Sequence, residues 1–433
     1  MSTPLWDKGK GPVDAVMQKF LAGEDVLWDR HLFPFDVEAS RAHARGLQRI
    51  GILSADECTA ICTQLDAVAQ EFLAGTFVLD EKYEDCHSAI EDYLTQKLGA
   101  AGRKVHTGRS RNDQILVATR LFLKDALARL EQLCRQAGHA ALNKARAHEM
   151  VPMPGYTHLQ RAVPSSVGLW MAAFAEAFAD DAHLARMTRG WLDASPLGTA
   201  AGYGVNLPLD RDGVSQELGF ARLQINPMYA QNSRGKFELQ ALGALSQALL
   251  DVRRLAWDLS LFTTEEFGFV RLPDAFTTGS SIMPNKRNPD VVELLRAAHS
   301  VVTGAVAELT DVLSLTSGYH RDLQATKGPV LRAFQHGLRA LALVPSLVDT
   351  LEFDVARMRA AISPEMFATD RAVELAVAGV PFRDAYRQVA QTAGAQQRTP
   401  EESLTARTSP GATALLLLDR IEARLSPLPG ASG

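Results

Sequence analysis

Apolar residues return every three to four positions along residues 289–315: Val291, Leu294 and Leu295, Ala298, Val301 and Val302, Ala305, Leu309 and Val312. Side chains of a strand alternate between faces, so a step near 3.5 held over several turns leaves one outcome, a helix packed along its length. Residues 235–262 repeat the step with Leu242, Leu245, Leu249, Val252, Leu255, Leu259 and Phe262. Comparable patterns run over residues 112–150, 165–192 and 329–352, and no alternating β-branched segment competes with these five. At about 1.5 Å per residue the 112–150 segment reaches roughly 55 Å. The pattern predicts an all-α chain built on a bundle of five long helices.

The flanks differ. Residues 1–108 predict shorter helices at 37–50 and 54–74, the second opened by Ser54 with Glu57 at capping-box spacing. Beyond Glu352 come two short helical stretches interrupted at Pro381, then a tail with Pro427, Pro429 and Gly430. Three parts result: an N-terminal helical domain (1–108), a central helix-bundle domain (109–354) and a small C-terminal helical domain with its tail (355–433). A chain of 433 residues is long enough for several packed units, and 46% apolar with 22% charged residues describes a soluble globular protein. Lys and Arg number 45 against 50 Asp and Glu, a net −5 that argues against duplex nucleic acid or a membrane surface as partner. No run reaches the roughly 18 apolar residues of a membrane span, and residues 1–10 lack the apolar stretch of a signal peptide. Cys58, Cys62, Cys86 and Cys134 have no zinc spacing and are too sparse for a disulfide framework, which fits a reducing, cytoplasmic setting.

Chemistry concentrates in the connectors. They read His-Thr-Gly-Arg-Ser-Arg-Asn-Asp-Gln at 106–114, Pro-Gly-Tyr-Thr-His-Leu-Gln at 154–160 and Ser-Pro-Leu-Gly-Thr-Ala-Ala-Gly at 195–202. Two more are Phe-Thr-Thr-Gly-Ser-Ser-Ile-Met-Pro-Asn-Lys-Arg-Asn-Pro at 276–289 and Ser-Gly-Tyr-His-Arg-Asp-Leu-Gln-Ala-Thr-Lys at 317–327. Loops on rigid scaffolds are where function gathers. In an up-and-down bundle successive helix ends alternate. The 109–112, 195–202 and 319–327 segments then share one end, and Thr157, His158 and the 280–286 loop share the other. Roughly 40–55 Å would separate the two groups within one subunit. Cooperation on one small ligand therefore predicts an oligomer of antiparallel chains with shared sites.

The residue types point to anions and proton transfer. Residues 103–111 carry Arg103, Lys104, Arg109, Arg111 and His106 without an acid. A solvated turn is the plain account of that run. Yet Arg109 and Arg111 flank a helix start, where free N–H groups and the dipole favour anions, and paired guanidiniums suit carboxylates. His158 is a lone histidine, a type more often structural or simply exposed, with a titration range matched to proton transfer near neutrality. Asn288 reads as a helix cap and Pro289 as the first helical residue. Those roles leave Gly279, Ser280, Ser281 and Lys286 over, and a glycine-hinged loop closing on substrate accounts for them. Gly-Ser-Ser is not a nucleophile elbow, so covalent serine hydrolysis is not expected. No dinucleotide fingerprint, phosphate loop or His-Glu-x-x-His occurs, and neither a cofactor nor a metal is expected.

The chain resembles argininosuccinate lyase, within the fumarase/aspartase superfamily, over nearly its whole length. The 106–114 motif discriminates best, since it looks like argininosuccinate lyase and not fumarase, aspartase or adenylosuccinate lyase. The 154–160 motif matches too, and Gly-Ser-Ser-Ile-Met-Pro-x-Lys-x-Asn-Pro at 279–289 is the superfamily signature. Smaller matches are Asp85-x-His87-Ser88, Asp29-Arg30-His31-Leu32 and residues 379–383. The resemblance implies an all-α homotetramer with a twenty-helix core, each site built from three subunits. It also implies reversible anti elimination of argininosuccinate to arginine and fumarate, in arginine biosynthesis, without metal or cofactor. By the same resemblance Ser280 is the general base, helped by Lys286 and Asn288 on the carboxylate, and His158, oriented by Glu293, is the general acid. Arg111, Asn112 and Thr157 would grip the succinyl carboxylates, while Tyr319, Gln324 and Lys327 line the arginine and carboxylate side.

Departures from the family pattern bear on the substrate. Around Arg234 the chain reads Asn232-Ser233-Arg234-Gly235-Lys236, without the usual Asp, and Ala325-Thr326 replaces a usual Glu-Asp pair. Asn285 and Arg287 replace Gln and Lys, His320 replaces Asn, and Gly23-Glu24-Asp25 is longer and acidic. Acids lost where an α-ammonium must sit suggest an N-acylated argininosuccinate as an alternative, with Asp25 as a compensating group. Adenylosuccinate is a second alternative, because Lys286-Arg287-Asn288-Pro289 also looks like that relative. A catalytically silent, crystallin-like protein is the third, opposed by the intact Thr157, His158, Ser280 and Lys286.

Overall fold

The computed structural model describes residues 14–80, 82–392 and 398–426. The expectation for residues 1–10 and the proline tail at 427–430 lie outside the described residues. Five long helices run over Arg111–Ala147, Val167–Leu192, Lys236–Phe262, Asp290–Val312 and Lys327–Asp349, each within a few residues of its periodic stretch. Along Asp290–Val312 the buried stripe is Val292, Leu295, Ala298, Val302, Ala305 and Leu309. Of the adjacent leucines, Leu295 faces the core at 2% exposure while Leu294 is 71% exposed. Burying such a leucine stabilises by about 1.5–3 kcal/mol, which is why the stripe and not the whole helix dictates packing.

The chain separates into two compact units. The first comprises Met1–Arg129, Ala185–Leu245 and Val301–His336; the second comprises Leu130–Leu184, Ser246–Ser300 and Gly337–Gly433. Every long helix has one end in each unit, and the end found in the first unit alternates along the chain.

After a short helix over Ala15–Ala22, the first unit carries a helix over Asp25–Arg49 where 37–50 was expected. Pro34 lies inside it, and an interior proline costs about 3 kcal/mol. Burial of Val26, Leu32 and Phe33 outweighs that cost. The ring of Phe33 stacks on Phe72 at 4.3 Å, in the next helix, Ala55–Leu73. That helix starts at the capping box its sequence announced. Glu57 N donates to Ser54 Oγ at 3.2 Å, and Ser54 N donates to Glu57 Oε2 at 3.0 Å.

Two features of the second unit differ from expectation. Past Glu352 the helical segments exceed two: Val355–Ala360, Ala368–Val377, Phe382–Ala390, Pro400–Ala406 and Leu418–Leu425, with the predicted break at Pro381. The 154–160 connector is also no loop. Pro152–Thr157 pairs antiparallel with Gln160–Ser166, with a register irregularity between Pro154 and Tyr156. Prolines and a glycine argue against strands, which hides this hairpin in the sequence. Elsewhere only two-residue strands occur among the described residues, and the chain is all-α.

Candidate active site

In the first unit, Arg111, Asn112, Tyr319, Gln324 and Lys327 border one small cleft of about 60 Å³. Asp25, Glu84, Asp85, His87, Ile115, Arg234 and Arg321 complete its wall. Arg111, the first residue of its helix, places Nη1 2.9 Å from Glu84 Oε2 and 3.2 Å from Asp85 Oδ2. Burial works against its charge, but Asp85 and Glu84 outweigh that and raise its pKa. Asp85 feels the reverse balance. Burial pushes its carboxyl up, yet His87, Arg111 and the Ser88 N–H and hydroxyl hold it below the ordinary value.

Lys327 is 6% exposed and opens the last long helix. Its Nζ donates to Asp29 Oδ1 at 2.6 Å and lies 2.8 Å from Asp25 Oδ2. Burial would strip its proton; Asp29 and Asp25 overcome this and raise its pKa. Asp25 stays above the ordinary carboxylate value because burial exceeds the pull of Lys327. Gln324 and Arg321 both donate to the Leu21 carbonyl at 2.9 Å, which ties the 317–327 connector to the N-terminal segment. Tyr319 is partly exposed, and Asn112 N donates to Ser110 Oγ at 3.2 Å.

Asp36, Cys86 and the cleft residue His87 form the one group among the described residues with metal-ligand character. His87 Nδ1 is 2.7 Å from Asp36 Oδ2, a hydrogen-bond distance. Burial and the neighbouring aspartates push the Cys86 thiol well up, so it stays protonated. The arrangement is that of a carboxylate orienting an imidazole. Burial lowers the His87 pKa, but Asp36, with Asp85 and Asp29, more than offsets it and the net shift is upward.

The second unit holds the other expected residues. Thr157 and Gln160 close the hairpin, leaving His158 and Leu159 as its two-residue turn. Both have left-handed backbones, with φ of 56° and 58°. Such turns favour Asn and Gly, so a histidine held there is strained and presented outward. Ser280 lies in the exposed loop between residues 278 and 288. Its Oγ accepts from Ile282 N at 3.3 Å and Met283 N at 3.1 Å. Lys286 is exposed, and its backbone N donates to Met283 O at 3.1 Å.

The loop's neck is an antiparallel bridge. Thr278 N donates to Asn288 O at 3.0 Å, and Asn288 N returns to Thr278 O at 2.8 Å. This corrects the expected helix start. Asn288 does not cap; its side chain donates to Gly279 O at 3.3 Å, and the helix begins at Asp290 with Pro289 O accepting from Glu293 N at 3.1 Å. The bridge uses both backbone groups of Asn288, which moves the cap one residue on. Glu293 is exposed, with its carboxylate 3.7 Å from Arg296 Nη2. Among the described residues no hydrogen bond joins His158 to Ser280 or to Glu293.

The two groups of expected residues thus belong to different compact units. Glu84 and Arg321 escaped the sequence reading. Both are charged residues in polar stretches, with no spacing that separates them from solvated surface. Asp29, Asp85 and His87 did carry a signal, in the Asp-Arg-His-Leu and Asp-x-His-Ser matches.

Comparison with known proteins gives a consistent result. The profile of a family described as lyase matches residues 8–304. The chain is 60% identical over 430 residues to the argininosuccinate lyase of Stenotrophomonas maltophilia strain R551-3, covering 99% of this chain and all of that protein. It is 59% identical over 426 residues to the argininosuccinate lyase of Xylella fastidiosa strain 9a5c, covering 98% and 96%. Among solved structures, an EDDS lyase in complex with formate superposes with a TM-score of 0.78 at 25% identity, covering 96% of this chain and 91% of that one. A fumarate lyase:delta crystallin from Brucella melitensis bound to cobalt shares the fold, with a TM-score of 0.74 at 23% identity and coverage of 96% and 97%.

Proposed function

We propose that this chain, which belongs to the argininosuccinate lyases within the fumarase/aspartase superfamily, performs the reversible cleavage of argininosuccinate to arginine and fumarate at active sites shared between subunits. The observation that carries the activity is the 60% identity running the length of both chains. The test is fumarate release from argininosuccinate, followed by ultraviolet absorbance beside N-acetylated argininosuccinate and adenylosuccinate. Clear turnover of the free substrate alone supports the reading; turnover of only one of the others replaces it.

In the proposed mechanism Ser280 takes the Cβ proton of the succinyl moiety, and charge builds on the neighbouring carboxylate. Lys286 and the Asn288 amide stabilise that charge, since donors aimed at developing charge lower the barrier most. A serine is a poor base at its free pKa, so positive charge brought near it, with Lys286 on the same loop as its source, must favour the alkoxide. The electron pair of the C–H bond forms the fumarate double bond as the C–N bond breaks. His158, oriented by Glu293, gives a proton to the departing guanidino nitrogen. Arg111, Asn112 and Thr157 hold the succinyl carboxylates, and Tyr319, Gln324 and Lys327 line the arginine side.

A cleft of about 60 Å³ takes a carboxylate, not a whole argininosuccinate. That supports sites completed by other copies of the chain, in a homotetramer with a twenty-helix core. Exposed Trp257, Leu294 and Leu343 on the long helices support the same assembly. The three-part division at 1–108, 109–354 and 355–433 and a cytoplasmic location belong to this reading. No described helix is long and apolar enough to cross a membrane.

One feature favours an N-acylated substrate as the second reading. Asp25 and Asp29 are both engaged by Lys327, and Glu84 and Asp85 by Arg111, so the acids near the cleft already have cationic partners.

A further inference from the structure

Asp113 is wholly buried and sits one residue past Asn112 and two past Arg111. Its two oxygens do different things. Oδ1 accepts from Ser110 N at 2.8 Å, which caps the 37-residue helix that Arg111 begins. Oδ2 accepts from Gly198 N and Ala200 N, both at 3.0 Å. One carboxylate therefore joins the helix start to the 195–202 connector, a motif the proposed chemistry leaves without a role.

The connector is shaped to make this contact. Gly198 has φ of 83° and Ala200 φ of 50°, both left-handed, so the two N–H groups converge on one oxygen. A side chain at 198 would collide with Arg211, whose Nε donates to Leu197 O at 3.0 Å. A non-glycine residue held left-handed is strained and persists there only where the surroundings over-determine it. Asp113 is what over-determines Ala200.

We infer that Asp113 is a positioning residue for substrate binding: by tying the 195–202 connector to the helix start, it fixes the direction in which Arg111 and Asn112 meet the succinyl carboxylate. The inference rests on the reading of the chain as an argininosuccinate lyase. Burial pushes the Asp113 carboxyl up to about 6 against its three N–H donors and Arg109, so partial protonation below neutrality is expected to loosen the junction.

Two variants separate this role from simple helix capping. Glu is the favoured partner of a serine cap three residues on. Asp113→Glu is therefore expected to keep the cap, while its longer arm displaces Oδ2 from Gly198 and Ala200. Asp113→Asn weakens both. Steady-state fumarate release and thermal unfolding are measured for both variants and the wild type. The expected result is a KM for argininosuccinate raised about tenfold or more in Asp113→Glu, with kcat within about threefold of wild type and a melting temperature no lower than that of Asp113→Asn. In the wild type, KM is expected to rise as pH falls through about 6. A wild-type KM in Asp113→Glu overturns the inference and leaves Asp113 a cap alone. So does a parallel fall of kcat and melting temperature without a KM change. If Asp113→Glu does not fold, a KM in the wild type that is flat from pH 7 to 5 overturns it instead. Wild-type protein that releases no fumarate overturns the enzymatic reading itself, a separate outcome.

Discussion

Lys327 and Asp29 form a buried ion pair, Nζ to Oδ1 at 2.6 Å, between a lysine 6% exposed and an aspartate without solvent contact. Asp25 shares the ammonium at 2.8 Å. Removing one partner of such a set leaves buried charge uncompensated, which costs about 3–5 kcal/mol. Lys327→Met is therefore expected to lower the unfolding free energy measured by urea titration by that order and to abolish fumarate release. A variant of wild-type stability would show that Asp25 and Asp29 are not held by this lysine. The pH dependence follows from the raised pKa of Lys327. Its stabilisation is fully present below the ordinary value of 10.5 and is lost only as pH rises through the higher folded value. Mild alkali alone should not release the pair.

Ser280 →Ala should separate chemistry from folding. The hydroxyl's bonds are local, to the N–H groups of Ile282 and Met283 at 3.3 and 3.1 Å. Losing them on an exposed loop costs within about 1 kcal/mol. The expected result is an unchanged melting temperature with kcat reduced by about 100-fold or more, the scale of a lost general base. Residual kcat within a few-fold of wild type would remove Ser280 from the role of base.

How far the sequence foretold this depends on the physics of each part. Leu295, Ala298, Val302 and Leu309 carry a 3.6-residue signal that any long packed helix must write, and those helices were legible to within a few residues. The helix through Pro34 was not, because propensity opposes it and only the burial of Leu32 and Phe33 overrides that. The hairpin at His158 was invisible for a like reason. Pro152, Pro154, Gly155 and Pro164 read as loop, and the pairing is a tertiary outcome. Within the site, Arg111 and Asn112 stood out by type and motif. Of the acids that neutralise Arg111 and Lys327, Asp29 and Asp85 lay in matched motifs while Glu84 carried no signal, and which carboxylate meets which cation is settled only by folding.

His158→Asn and Ser280→Ala should complement. His158 sits on a hairpin turn and Ser280 on a separate exposed loop, and no hydrogen bond joins them within the chain. If a site draws the two from different subunits, chains carrying one lesion each still assemble sites with both groups intact. The two inactive proteins, denatured together and refolded, are expected to recover fumarate release that neither shows alone. Recovery no greater than either parent would confine each site to a single chain.

Asp181 supplies a test of stability against pH. It is 5% exposed, its Oδ2 has no hydrogen-bond partner, and it faces Asp251 and Asp180 with the buried Cys134 nearby. Burial, then Asp251 and Asp180, push its carboxyl up to about 8. The folded chain therefore holds a proton that the unfolded chain has released above its ordinary value of 3.8. A raised folded pKa means stabilisation that is complete below 3.8 and is lost progressively as pH rises toward about 8. The slope is at most about 1.4 kcal/mol per pH unit for one proton. Asp181→Asn cannot ionise, so the margin of its melting temperature over that of wild type should be smaller at pH 5 than at pH 8 to 9. A wild-type and variant difference that does not change between those pH values would mean that Asp181 finds a partner when charged, and that its burial does not govern the alkaline limit.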